Sequence, residues 1–153
     1  MDWLEGLQGQ IVGLDTAPLI YFIEESPVYL PIVQPLFEAL ERGTLRAATS
    51  VLTLLEVLVH PLRQRNPQLA EQYREILLNA RGIMTLPLTP DIAESAARLR
   101  AEYTLRTPDA IQLATAVHAG AAAFLTGDAR LPILPNLRRL LLDDLRGRTP
   151  PYN

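Results

Sequence analysis

The chain alternates short, mostly apolar runs with longer segments that carry helix signals, and this alternation restricts its fold more than any other feature. The runs are Ile11–Leu14, Leu45–Ala48, Ile83–Leu86 and Ala122–Thr126. Runs this short are typical of buried strands, and strands separated by helices form parallel sheets because parallel pairing needs a long crossover. The sequence therefore predicts an α/β fold with a mainly parallel sheet of four or five strands.

Helices are predicted between the strands, with boundaries at proline, glycine and capping residues. Gly43 predicts the end of a helix over Ile32–Arg42. Thr49 or Ser50 begins a helix that Pro61 is expected to end near His60. Further elements are expected as a short helix at Pro18–Ile23, a helix from Asn66-Pro67 to about Asn79, helices begun by Thr89-Pro90-Asp91 and Thr107-Pro108-Asp109, and an edge strand at Arg139–Leu142.

The length of 153 residues fits one domain with its own core, and no linker interrupts it. We therefore expect a single domain over residues 1–153, with an irregular tail at 146–153. The start of the chain lacks the pattern of a signal peptide, and no apolar segment approaches the roughly 20 residues that span a bilayer. We expect a cytoplasmic protein without a membrane segment.

Composition excludes several kinds of active site. The chain has no cysteine, two histidines and fourteen cationic side chains, all of them arginine. Without cysteine there is no thiolate metal site or cysteine nucleophile, and two histidines are too few for a histidine-based zinc site. Without lysine there is no P-loop and no Schiff-base chemistry.

Four acidic residues lie in or beside apolar segments or at the start of a helix, where a carboxylate either costs folding free energy or serves a function. Asp15 and Asp128 each end an apolar run, Glu56 interrupts an apolar helix, and Asp109 opens a helix at Thr107-Pro108. Ligands in open parallel sheets collect outside the carboxyl ends of the strands, so the four side chains can meet there. Carboxylates that converge repel one another unless a cation binds among them.

Each acid also has an ordinary structural explanation. Asp109 can serve the helix dipole, as Asp91 does in the same Thr-Pro-Asp context, and Asp15 and Asp128 can be turn residues. Glu56 can pair with His60 four residues later on the helix. An unrelated α/β domain with four coincidental acids is thus an alternative.

The order of motifs resembles a PIN domain, in particular the short VapC-type toxins, over nearly the whole chain. The motifs are Leu14–Ile20, with Asp15 and Thr16; Thr49–Glu56; Arg106–Ala116, which is the most specific; and Phe124–Asp128. One departure stands at Gly127, where the family often has asparagine between the threonine and the aspartate.

The resemblance implies a Rossmann-like, three-layer α/β/α sandwich with a Mg²⁺ or Mn²⁺ site. By similarity, the catalytic and metal-binding residues are Asp15, Glu56, Asp109 and Asp128. Thr16 and Thr126 are expected to orient the carboxylates or bound water, and Arg106 to contact substrate phosphate.

The resemblance also implies a function, namely metal-dependent endonucleolytic hydrolysis of RNA by the toxin of a type II toxin–antitoxin pair. Metal ions held by carboxylates suit phosphodiester hydrolysis, since they activate water and screen the phosphate. The expected partners are RNA, a second copy of the chain, and an antitoxin docked between the helices at Ile32–Arg42 and Asn66–Asn79. Two alternatives remain, a nuclease that acts on DNA or structured nucleic acid, and a catalytically idle binding module.

Overall fold

A fully parallel, five-stranded sheet forms the middle of the protein, in a computed structural model that describes residues 2–146. The order across the sheet is β3-β2-β1-β4-β5. Strands β2 and β3 lie on one side of β1, and β4 and β5 lie on the other. The boundary between β1 and β4 is therefore a topological switch point. The predicted α/β fold with a mainly parallel sheet is confirmed. The strands are β1 (Ile11–Leu14), β2 (Arg46–Ser50), β3 (Ile83–Leu86), β4 (Ala123–Thr126) and β5 (Arg138–Leu141).

Helices connect the strands, and most begin where the sequence indicates. They are α1 (Thr16–Ile23), α2 (Leu30–Arg42), α3 (Val51–Arg63), α4 (Pro67–Arg74), α5 (Pro90–Glu102), α6 (Thr107–His118) and α7 (Leu142–Leu145). The side chains of Ser50, Asn66 and Thr89 cap α3, α4 and α5 by accepting a hydrogen bond from a backbone N–H of the first turn. Gly43 ends α2 in the left-handed conformation, with φ of 79°.

Two hydrophobic cores lie on opposite faces of the sheet. Val12, Leu14 and Leu125 belong to one core, together with residues of α1, α2 and α4. Phe124, which alternates with Leu125 along β4, belongs to the other core with residues of α5 and α6. Successive residues of a strand point to opposite faces, so the strands read as continuous apolar runs when both faces are covered. The three-layer α/β/α arrangement implied by the resemblance is confirmed.

Gly13 brings β1 unusually close to α6. A Cβ atom at this position would lie 2.7 Å from the Cβ of Ala116 and 2.9 Å from Cδ1 of Phe124. Any side chain here would force the helix away from the sheet. The close approach matters for the site, because the strand that leads into Asp15 packs directly on the helix that has Asp109 in its first turn.

The structure differs from the predicted elements at four places, the first of which is an unexpected 3-10 turn at Glu5–Leu7. Pro61 does not end its helix, since α3 continues to Arg63 with Pro61 buried inside it. The segment predicted as one helix to Asn79 is α4 followed by a π-helical turn over Glu75–Asn79. The short helix α7 follows β5 directly and was not expected.

Residues 147–153 of the predicted tail lie outside the described residues. Within 2–146, no helix has both the length and the apolar character needed to cross a bilayer.

Candidate active site

All four predicted acids face one cavity of about 510 Å³ at the carboxyl edge of the sheet. Its wall includes residues from the ends of β1 and β4, from α1 and α3, and from the start of α6. The cavity lies at the topological switch point, where ligand sites of open parallel sheets occur. We call it the acid cavity; its lining residues are Asp15, Thr16, Ala17, Ile20, Tyr21, Glu56, Arg106, Pro108, Asp109, Gln112, Gly127 and Asp128.

Asp15 is held at the end of β1 by two hydrogen bonds to its carboxylate. Its Oδ1 accepts a bond from the backbone N–H of Thr16 at 2.8 Å, which makes Asp15 the N-cap of α1. Its Oδ2 accepts a bond from the hydroxyl of Thr126 at 2.7 Å. Thr126 ends β4 and is fully buried, so the neighbouring strand fixes this carboxylate.

Glu56 is partly buried, as the apolar context of α3 predicts. Its Oε2 accepts a hydrogen bond from the hydroxyl of Thr16 at 3.0 Å. The suggested pairing with His60 is wrong: His60 is exposed, and the partner comes from a different element, forty positions away. Thr16 thus joins Asp15 and Glu56, by its backbone and its side chain respectively.

Asp109 and Asp128 are held differently, each by the guanidinium group of an arginine nearby in the sequence. Oδ2 of Asp109 accepts a hydrogen bond from Nε of Arg106 at 3.1 Å. Asp128 accepts bonds from Nε and Nη2 of Arg130 at 3.0 and 3.2 Å, and from the Arg130 backbone N–H at 2.9 Å. The arginine side chains are 73% and 84% exposed, so they can leave these carboxylates at little cost.

The four acids therefore form a hydroxyl-held pair, Asp15 and Glu56, and an arginine-held pair, Asp109 and Asp128. Burial raises the pKa of Asp15 above its ordinary value; bonds from Thr126 and Thr16 oppose that rise, and the charges of Asp109 and Asp128 add to it. Hydrogen bonds from Arg130 hold the pKa of Asp128 below its ordinary value. The like charges therefore act on one another across the cavity.

Gly127 leaves space where many family members carry asparagine. A Cβ atom here would meet only Cδ1 of Leu142 at 3.8 Å and Cβ of Ala17 at 4.0 Å, which are ordinary contacts. The glycine is therefore not required by packing. Asp128 is held by its arginine and by the bond from its own N–H to Thr126 Oγ1 at 3.0 Å.

Two residues of this region escaped the sequence analysis. Gln112 lines the cavity and is buried within the apolar run of α6, the same signal that drew attention to Glu56. Arg130 pairs with Asp128, two residues earlier in the same loop, and no pattern in the sequence indicates this pairing.

The chemistry of the cavity fits a hard divalent cation. Four carboxylates and a glutamine amide supply oxygen donors, which Mg²⁺ and Mn²⁺ prefer. Oε1 of Gln112 is buried and has no hydrogen-bond partner among the described residues. Within that same range, no three acidic or histidine side chains are grouped closely enough to hold a cation as they stand.

Solved structures of similar fold include several toxin–antitoxin proteins. A toxin–antitoxin complex from Klebsiella pneumoniae is 25% identical, with a TM-score of 0.61 over 84% of this chain and 95% of that one. VapBC2 of Rickettsia felis, bound to a promoter DNA fragment, is 18% identical, with a TM-score of 0.65 over 84% and 96%. VapC20 of Mycobacterium tuberculosis, a toxin that cleaves the sarcin–ricin loop, is 17% identical, with a TM-score of 0.63 over 78% and 91%.

No curated protein matches the chain significantly. The family model of the PIN domain matches residues 12–137, a range that contains all four acids, from Asp15 to Asp128. The chain belongs to the PIN domain family.

Proposed function

We propose that this protein is a metal-dependent endoribonuclease and the toxin of a type II toxin–antitoxin pair, acting in the cytoplasm. The observation that carries the proposal is the convergence of four carboxylates on one cavity at the switch point of a PIN domain. The similarity to structures of toxin–antitoxin proteins supports the toxin assignment.

A divalent cation bound by Asp15, Glu56, Asp109 and Asp128 would supply an activated water and offset the charge that develops on the phosphate. The hydroxyls of Thr126 and Thr16 hold Asp15 and Glu56 in fixed orientations. A carboxylate whose orientation is already restrained loses less conformational freedom when it binds a cation.

Arg106 and Arg130 are the groups that would bind the substrate phosphate. They neutralise Asp109 and Asp128 in the present structure. If a cation were bound by these carboxylates instead, the two guanidinium groups would be free to bind phosphate. Guanidinium groups bind phosphate oxygens with two parallel hydrogen bonds, which suits a polyanionic substrate.

The experiment that tests the proposal compares Asp109→Asn with Asp91→Asn. Both aspartates follow Thr-Pro at the start of a helix, but Asp91 is exposed and does not line the acid cavity. We expect Asp109→Asn to lose roughly 100-fold in RNA cleavage with Mn²⁺, because a cation ligand is lost. Asp91→Asn should cleave like the wild type.

The substrate pool should contain single-stranded RNA, a stem-loop with the sarcin–ricin sequence and matched DNA. The stem-loop is included because one of the similar structures is a toxin that cleaves it. Cleavage of RNA by the wild type that stops with EDTA is the expected result. Cleavage of DNA alone would move the activity to another substrate, and equal cleavage by Asp109→Asn would remove the active site from this cavity.

An apolar groove between α2 and the π-helical turn is the proposed docking site for the antitoxin. The groove has a volume of about 470 Å³, and its lining residues are apolar except for Glu41 and Arg81. Phe22 and Phe37 stack at 4.1 Å between ring centres on its wall, and Ile76 and Ile83 also line it. An amphipathic segment of a partner protein can bury its apolar side chains there.

Replacing an apolar side chain of this groove with an arginine should release the antitoxin without harming the nuclease. We expect Ile76→Arg to abolish co-purification with the co-expressed antitoxin, whereas Ile133→Arg, at an exposed position outside the groove, should not. Retention of the antitoxin by Ile76→Arg would place the docking site elsewhere. Homodimer formation stays a prediction that analytical ultracentrifugation can test.

A further inference from the structure

Gln112 is a buried polar residue of the acid cavity to which the proposed mechanism gives no role. It lies on α6, three residues after Asp109, and only 3% of its surface is exposed. Its neighbours along the helix, from Ala110 to Ala116, are buried too, and the rest of this run is apolar except for Thr115. The hydroxyl of Thr115 donates to the carbonyl of Ile111 in the same helix, whereas the amide of Gln112 donates to Thr53 on α3.

The orientation of the Gln112 amide is fixed by a chain of hydrogen bonds with one direction. The carbonyl of Leu14 can only accept, so the hydroxyl of Thr49 donates to it at 2.9 Å. Thr49 therefore accepts from the hydroxyl of Thr53 at 2.7 Å. Thr53 must in turn accept from Gln112, whose Nε2 lies 2.7 Å away. The nitrogen of the amide faces Thr53, and the oxygen is the atom left over.

That remaining oxygen, Oε1, is buried and has no hydrogen-bond partner within residues 2–146. A buried acceptor without a partner costs free energy, and such atoms are rare in folded proteins unless a ligand or water completes them. Because Gln112 lines the acid cavity, a ligand of this cavity is the natural partner. Apolar ligands are excluded, since they would leave the oxygen unpaired.

We propose that Gln112 is a positioning residue of the cation site, with Oε1 accepting a hydrogen bond from a water that accompanies the divalent cation. The inference rests on the proposed function. A cation turns the hydrogen atoms of its water outwards, so these waters need acceptors in the surrounding wall. A neutral amide provides one without adding a fifth negative charge to a cavity that already holds four carboxylates.

This series of hydrogen bonds also fixes the position at which the amide oxygen can accept a bond from the water. It runs from Gln112 through Thr53 and Thr49, which are both buried, to the backbone of β1 one residue before Asp15. The position of Oε1 is therefore set relative to the hydroxyl-held pair by rigid elements. Rigid support of this kind keeps a water in place with little loss of entropy on binding.

Calorimetric titration with Mn²⁺ tests the inference on the full chain, with Gln112→Met as the main variant. Methionine keeps the length and the apolar stem but has no amide oxygen. We expect its Kd for Mn²⁺ to rise roughly tenfold over the wild type, as for other groups that orient a cation's ligands. Thr115→Val is the matched control, because Thr115 is equally buried on the same helix but does not line the cavity.

Gln112→Glu separates a positioning role from a merely structural one. Glutamate restores an oxygen but cannot donate to Thr53, so it breaks the bonded chain while keeping the acceptor. We expect it to bind Mn²⁺ at least as tightly as the wild type and to melt at a lower temperature in EDTA. If the affinity for Mn²⁺ falls in step with the melting temperature across Gln112→Met, Gln112→Glu and Thr115→Val, the inference is overturned.

The outcomes distinguish this inference from the proposed nuclease. A Kd for Gln112→Met within twofold of the wild type would overturn the role of Gln112 and leave the nuclease standing. If Gln112→Met binds Mn²⁺ more weakly than the wild type, but the wild type cleaves no RNA, the cation site is supported and the nuclease is overturned. A wild type that binds no Mn²⁺ would overturn both.

Discussion

The hydroxyl-held pair and the arginine-held pair face the same cavity, yet the protein holds them in opposite ways. Asp15 and Glu56 bond to the hydroxyls of Thr126 and Thr16, on the short elements that meet at the sheet edge. Asp109 and Asp128 bond to guanidinium groups that are mostly exposed. Hydroxyls orient a carboxylate without neutralising it, whereas arginines neutralise it and can be exchanged for another cation.

The difference suggests a division of labour within the site. The hydroxyl-held pair is oriented by groups that carry no charge, so no counter-ion would have to be displaced when a cation binds to it. The arginine-held pair is the adjustable half, because the proposed cation would be held by Asp109 and Asp128 in place of the exposed Arg106 and Arg130, which would then be able to bind phosphate. The pKa values of Asp15 and Asp128 shift in opposite directions, because burial raises the first and hydrogen bonds from Arg130 lower the second.

The largest expected effect comes from removing the hydroxyl of Thr126. Thr126→Val deprives both Asp15 Oδ2 and the Asp128 N–H of their partner in a fully buried position. We expect the free energy of unfolding in EDTA to fall by about 1–3 kcal/mol, the usual cost of buried polar groups left unpaired. Arg130→Ala should leave it unchanged within error, since the arginine is exposed. Urea denaturation of both variants measures the contrast.

Thr126→Ser is the control for that experiment, because serine keeps the hydroxyl and loses only a methyl group. It should lie between the wild type and the valine variant. Arg130→Ala should instead weaken RNA binding and reduce its dependence on salt, as expected for the loss of a phosphate contact. If the valine and alanine variants lose equal stability, the distinction between the two pairs is wrong.

The parts of the site that were predictable from the sequence are those that strand ends and burial determine. Asp15 and Asp128 follow apolar strands, and the register that pairs Leu14 with Leu125 brings them to the same edge. Glu56 stands in an apolar helix and is partly buried, as expected. These inferences work because strand direction and hydrophobic pattern are local properties that the fold preserves.

The rest depended on contacts between distant segments. Thr16 rather than His60 bonds Glu56, because α1 crosses near α3 in the fold, and spacing along one helix cannot reveal that. Pro61 was expected to end α3 near His60, but it lies buried inside the helix, which continues to Arg63. Arg130 was missed because an exposed arginine in a loop looks the same whether or not a carboxylate lies beside it.

The smallest expected effect is a difference in pH dependence between Asp15→Asn and Asp128→Asn, measured by urea unfolding in EDTA. The folded-state pKa of Asp15 is raised, so this group favours the folded state most fully below the unfolded pKa of about 3.9. That contribution is lost as the pH rises through the folded pKa, and Asp15→Asn should therefore gain stability relative to the wild type over this interval. The substitution also removes a hydrogen-bond acceptor, but that loss is independent of pH, so the slope is the quantity to compare.

Asp128→Asn should show the opposite slope, because the folded-state pKa of Asp128 is lowered. The contribution of Asp128 is present above the unfolded pKa and disappears as the pH falls through the folded one. Its variant should lose stability relative to the wild type at neutral pH and regain it in acid, with a smaller amplitude because solvent screens the exposed arginine. Parallel curves for the two variants would mean that hydroxyls and arginines hold the acids in the same electrostatic state.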